Sequence, residues 1–313
     1  MPLTIKPILP RFGAEVSGVA LKGPLDAATQ REIIDAQHQW GVTVYRDTGL
    51  DDEGHVRFSR IFGHLETLPF TGRPTRHSHA EIFDASNLDA DGQIIDNELV
   101  RLHKKGDRLW HTDSSFIDLR SAYSILVAHE VPPEGGQTWF ADTRTAYDDL
   151  PAPLKAKVDT LEAEHSLWWS RKQAGYPFTE EEIDAKPSAR HPLVHVHQGS
   201  GRKALYIAAH ARDIVGMPRE EGRALLQELI DWCTQPQYVF AVTWNVGDLV
   251  IWDNLCSMHR GGDFDDLKHR RDMRRTTIRE GAAPEVKDDP FGDLFRNSGP
   301  TAFTAKPETV AAR

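Results

Sequence analysis

The chain has 313 residues, 39% hydrophobic and 27% charged, with a formal net charge of −10. This balance describes a globule with a sizeable core, and the acidic excess argues against nucleic acid, whose phosphates need a concentrated positive surface. Two cysteines without a CxxC pair support neither a disulfide framework nor a cysteine zinc site, no apolar run approaches a membrane span, and MPLTIKPILPRF is too proline-rich for a signal peptide, so a soluble, cytoplasmic protein is expected.

Asp26 reads as the N-cap of a helix over DAATQREIIDAQHQW that stops at Gly41. VTVYR, residues 42–46, alternates and is β-branched, which predicts a strand. DDEGHVRFSRIFG repeats the helix signal, with Val56, Phe58, Ile61 and Phe62 on its apolar face. Residues 65–104 have no clean period and read as a long loop with a short strand near IFDASN; such loops are often functional lids. SAYSILVAHEV (121–131) and QTWFA (137–141) are a strand and its returning partner around a Pro-Gly turn, and a helical segment follows from Thr143 to His165. PLVHVH and KALYIAAH flank a GSGR turn, REEGRALLQELIDWC is an amphipathic helix, and YVFAVTW and LVIWDN make a hairpin pattern across NVGD. HRRDMRRTTIRE closes the strand series, and residues 282–313 are expected to be an extended or disordered tail. Many short strands with helical insertions imply a mainly β fold, a barrel or a jelly roll, in one domain over residues 1–281.

LWHTDSSF places His111 and Asp113 at i and i+2, where side chains on a strand share a face. Two histidines and one carboxylate that leave open positions on a metal are diagnostic of non-haem Fe(II) oxygenases, and His259, just past the apolar strand LVIWDN, is the candidate third ligand. Taken alone, the His-x-Asp pair reads equally as a hydrogen-bonded or water-facing pair. In RRDMRRTT, period two puts Arg271, Met273 and Arg275 on one face and Arg270, Asp272 and Arg274 on the other. Met273 marks its face as inward, where two arginines need anionic partners, either a ligand or the chain's own carboxylates.

LWHTDSSF, VPPEGGQTWFADTRTAYDDLP, WNVGDLVIWDNLCSMHR and RRDMRRTT, in this order, resemble the Fe(II)- and 2-oxoglutarate-dependent dioxygenases of the taurine and 2,4-dichlorophenoxyacetate type. The likeness runs from about residue 10 to 280 and favours the 2,4-dichlorophenoxyacetate branch through LWHTDSSF, HAEIFDASN and WNVGDLVIWDN. It implies a double-stranded β-helix (jelly roll) core and a homo-oligomer. It also implies Fe(II) on His111, Asp113 and His259, 2-oxoglutarate on Thr138 and Arg271, O2 as oxidant, and ascorbate as an aid in vitro. Arg275 would bind the anionic group of a small substrate, with Ser114, Asn87 and His210 as further substrate contacts. The implied reaction hydroxylates an aryloxyalkanoate to give a phenol and glyoxylate, with succinate and CO2. Alternatives are taurine, an alkyl sulfate or an arylacetate as substrate and, outside the class, a metal-binding jelly-roll protein that is no oxygenase.

Overall fold

The computed structural model describes residues 3–67 and 76–281, so the expected tail and residues 68–75 of the expected lid lie outside the described residues. Strands Thr4–Pro7, Ala14–Ser17, Val42–Tyr45, Leu249–Asp253, Ser121–Glu130, Asp272–Arg279 and Phe83–Asp84 form a seven-stranded sheet in that spatial order. Only the second and third of them pair in parallel. A three-stranded sheet joins Val239–Val242, Thr138–Asp142 and Ser257–Gly261. Inward side chains of the two sheets share one core: Val44, Leu126, Val250 and Met273 from the larger, Phe140, Phe240 and Val242 from the smaller. On the other face of the larger sheet, Ile125, Val127 and Ile251 pack on Ile33 of the helix Ala27–Trp40 and on Val56 and Phe58 of the helix Asp52–Ser59. Strands covered on both faces read as continuous apolar runs, which explains SILVA and LVIW. The helix Arg219–Cys233 covers the outer face of the small sheet, its Leu225, Leu226 and Leu229 meeting Ala141 and Met258.

The helix starts follow the sequence signals, with Asp26 accepting from the Thr29 N–H and Asp51 from the Gly54 N–H. Three expectations differ. Val239–Val242 and Leu249–Asp253 are not a hairpin, because the first pairs with Thr138–Asp142 and the second with Ser121–Glu130 and Val42–Tyr45. Likewise Thr138–Asp142 does not return along Ser121–Glu130, and in both cases the chain changes sheets across its Gly-containing turn. The helix expected from Thr143 to His165 is divided into Thr143–Asp148, Ala152–Val158 and a strand, Glu162–His165. Pro151 and Pro153 lack the N–H that would continue the first helix, and Ala163 and His165 pair across to His191 and Ala189. The stretch 65–104 also holds a helix, Glu98–Lys104, capped by Asn97.

Phe83–Asp84, where the short strand near IFDASN was expected, is a two-residue edge strand held by charges. Arg76 pairs with Asp84 (3.0 Å) and Asp272 (3.1 Å), Arg274 with Asp52 (2.7 Å) and Asp272 (3.1 Å), and His77 lies 3.7 Å from Asp52 and 3.4 Å from Asp84. Burial pulls the His77 pKa down, but the two carboxylates outweigh it and raise it from 6.5 to about 9. A histidine raised in the folded state contributes stability that is full below its ordinary pKa and lost as pH rises through the folded value. Wild type should therefore melt above His77→Gln by a margin greatest below about pH 6.5 and vanishing above about pH 9, read from paired thermal melts. A margin that widens with pH would contradict this.

Candidate metal and anion site

His111 does not sit on an extended strand. It forms a single antiparallel bridge with His259, the His111 N–H donating to the His259 carbonyl (2.9 Å) and the His259 N–H to the His111 carbonyl (2.7 Å). This reciprocal pair sets the two imidazoles side by side, ring centroids 4.1 Å apart. Asp113 lies on the turn that follows, where Ser114 takes a positive φ of 55°. The turn, rather than strand alternation, brings the carboxylate to the histidines.

One ligand atom from each of His111, Asp113 and His259 lies within 4.8 Å of the others, and all three residues are buried. The Leu109 carbonyl accepts from His111 Nδ1 (2.8 Å), which leaves Nε2 with its lone pair. His259 Nε2 stands 3.7 Å from Asp113 Oδ2, and its buried Nδ1 has no hydrogen-bond partner among the described residues. Burial holds the His259 pKa far below the ordinary value, so the ring is neutral, as a metal ligand must be. Burial pushes the Asp113 carboxyl up, but Arg275, the two imidazoles and Ser124 together hold it well below the usual range. Two imidazoles and one carboxylate, gathered and buried, fit a divalent transition metal.

A second group, His197, Asp253 and Cys256, has similar proximity but different chemistry. The Ser200 backbone N–H donates to His197 Nδ1 (3.2 Å), so Nε2 carries the proton and donates it to Asp253 (2.8 Å). Burial pushes the Cys256 thiol well above its ordinary pKa. With both ring nitrogens engaged and the sulfur protonated, this is a hydrogen-bonded core cluster.

Of the arginines on Asp272–Arg279 and just before it, Arg270 pairs with Glu130 at the surface and Arg274 with Asp52 and Asp272. Arg271 and Arg275 flank the core residue Met273. Among the described residues no carboxylate pairs with Arg271, whose Nη1 reaches only the Ala85 carbonyl at 3.4 Å. Burial lowers its pKa to about 10. Gly136, at φ 68°, allows close approach here, since a Cβ on it would stand 3.5 Å from Arg271 Nε and 2.8 Å from Pro132. Thr138, in the same GGQT stretch, is buried, and its hydroxyl accepts from the Trp244 indole N–H (3.0 Å), leaving its own proton to donate. Arg275 pairs with Asp113 Oδ1, its guanidinium lies over the Phe83 ring at 4.7 Å, and its buried Nε has no partner among the described residues.

The expected substrate contacts divide. The His210 ring is 6.0 Å from that of His111 and 5.0 Å from Phe116, and burial keeps it neutral. Ser114 turns its hydroxyl to the buried Glu66 (3.4 Å). The Asn87 amide is committed to backbone: Nδ2 donates to the Asp266 and His269 carbonyls (2.8 and 2.9 Å) and Oδ1 accepts from the Arg271 N–H (2.8 Å). It is a clamp on the segment that delivers Arg271. Asn87→Ala strands these groups and is expected to cost about 2 kcal/mol of stability in denaturant melts. Sequence reasoning missed Glu66, Phe83, Phe116, Ser124 and Asn254. Only the Asn of IWDN carried a local signal, a polar residue ending an apolar run.

Over residues 4–277 the chain matches the family described as "Taurine catabolism dioxygenase TauD, TfdA family", and it belongs to that family. It is a 2-oxoglutarate-dependent dioxygenase. It is 42% identical to an alpha-ketoglutarate-dependent 2,4-dichlorophenoxyacetate dioxygenase of Burkholderia sp. (strain RASC), covering 86% of this chain and 91% of that one. It is 35% identical to an (S)-phenoxypropionate/alpha-ketoglutarate-dioxygenase of Sphingobium herbicidovorans, covering 90% and 96%. Among solved structures, AAD-2 in complex with Mn(II) and N-oxalylglycine superposes with a TM-score of 0.84 at 36% identity, covering 90% of this chain and 99% of that one. Among the described residues no helix is long and apolar enough to cross a membrane.

Proposed function

We propose that this chain hydroxylates an aryloxyalkanoate such as 2,4-dichlorophenoxyacetate, with Fe(II) on His111, Asp113 and His259, in a single domain built on a jelly-roll core. The carrying observation is the partly buried guanidinium of Arg271, which among the described residues has no carboxylate of its own, in a fold whose buried histidines and Asp113 offer a metal donor set. Arg271, assisted by the Thr138 hydroxyl proton, receives the distal carboxylate of 2-oxoglutarate. AAD-2 is in complex with Mn(II) and N-oxalylglycine, an amide isostere of 2-oxoglutarate, which supports a metal and a 2-oxoglutarate site in this fold.

Bound there, the metal supplies the centre at which the keto acid and O2 react. The protein's part is placement. Arg275 has Nε to offer a substrate carboxylate while it keeps Asp113, and Phe83 fixes the plane of its guanidinium. Phe116 and neutral His210 offer an aromatic wall beside His111 for the aryl ring. In the reaction one oxygen atom of O2 enters succinate as 2-oxoglutarate loses CO2. The other is inserted into the C–H bond between ether oxygen and carboxylate, and the hemiacetal then breaks its ether C–O bond to give a phenol and glyoxylate.

Succinate release under air with Fe(II) and ascorbate tests this against a panel of aryloxyacetates, aryloxypropionates, arylacetates, taurine and alkyl sulfates. Strong stimulation by an aryloxyalkanoate, with phenol formed, is expected. Stimulation confined to a sulfonate or sulfate would overturn the substrate class and leave the enzyme class standing.

A further inference from the structure

Asp113 is held by more than Arg275. Its backbone N–H donates to Asn254 Oδ1 (3.1 Å), and its Oδ2 accepts from the Ser124 hydroxyl (2.7 Å). Asn254 Oδ1 also accepts from the Trp252 indole N–H (3.1 Å), and Asn254 Nδ2 faces Ser124 Oγ (3.0 Å). Asn254 and Ser124 are both buried.

The direction of this chain follows from its fixed ends. A backbone amide and an indole can only donate, so the atom they share on Asn254 is its oxygen. Its nitrogen must therefore donate to Ser124. Accepting from Asn254 through one of its lone pairs, Ser124 turns its single proton to Asp113 Oδ2, the oxygen that faces His259 Nε2.

We infer that Ser124 and Asn254 are positioning residues for the metal site: Asn254 sets the direction of the Ser124 hydroxyl, and Ser124 fixes the rotation of the Asp113 carboxylate. This rests on the reading of His111, Asp113 and His259 as the metal ligands. Partners that orient a ligand in this way typically contribute 10–100-fold in metal affinity.

The test is anaerobic calorimetric titration of the full chain with Mn(II), together with the ligand-field spectrum of the Co(II)-loaded protein. Ser124→Ala removes the donor to Asp113 and is expected to weaken Mn(II) binding about 10–100-fold and to change the Co(II) bands. Asn254→Asp keeps the oxygen that serves Asp113 and Trp252 but turns Nδ2 into an acceptor, which draws the Ser124 proton away. Because that effect passes through Ser124, the double variant should lose less than the product of the two single losses. A merely structural role would lower the melting temperature and leave the Co(II) bands unmoved. Wild-type affinity and spectrum in Ser124→Ala overturn the inference while the ligand reading stands. Failure of the wild type to bind Mn(II) overturns the ligand reading and the inference with it.

Discussion

His111→Ala is expected to abolish turnover and to weaken metal binding by more than about 100-fold, beyond the usual effect of losing a partner that only orients a ligand. The loss should be local. His111 and His259 are joined through backbone groups, which alanine retains, so the bridge that aligns the strand Ser257–Gly261 survives. The variant should thus fold and melt near wild type without metal, yet show no melting shift when Mn(II) or Fe(II) is added, because only a ligand that binds the folded state stabilises it. Equal metal affinity in variant and wild type, measured by anaerobic calorimetry, would remove His111 from the site.

Arg271→Met should separate stability from function in opposite directions. A partly buried guanidinium that desolvation disfavours and no carboxylate among the described residues offsets is costly, and methionine is a flexible side chain that can fill the same space. Without 2-oxoglutarate the variant is expected to melt higher than wild type by about 2 °C, the shift that follows from a gain on the order of 1 kcal/mol. Removing one partner of a buried charge pair costs roughly 2–5 kcal/mol, so the concentration of 2-oxoglutarate needed for half-maximal succinate release should rise on the order of a hundredfold. The melting shift produced by 2-oxoglutarate on the metal-loaded protein should vanish as well. A variant less stable than wild type with unchanged response to 2-oxoglutarate would make Arg271 a structural residue.

Helix caps at Asp26 and Asp51 are written in local hydrogen bonds, and the structure uses them as expected. The faces of RRDMRRTT followed from one apolar residue, Met273, and the pleat. Sheet partners were legible across the GSGR turn, where Val194–Val196 pairs with Lys203–Leu205, but not across the other two turns. Val239–Val242 and Leu249–Asp253 look like a hairpin because a turn separates two β-rich runs, but the choice of sheet is made by tertiary packing of Phe240 and Val242 against Phe140. The candidate ligands His111 and Asp113 were legible as a pair, although a bridge and a turn bring them together where a strand was expected. Their supports were not, since Glu66, Ser124 and Asn254 come from three distant segments and carry meaning only through the atoms they meet.

The account is tested most directly by supplying 2,4-dichlorophenoxyacetate, 2-oxoglutarate and Fe(II) under heavy-isotope O2 and following succinate and phenol together. Hydroxylation beside the ether oxygen predicts equimolar succinate and 2,4-dichlorophenol, with one heavy atom in succinate and none in the phenol, which keeps its original ether oxygen. Heavy oxygen in the phenol, or succinate without phenol, would contradict it.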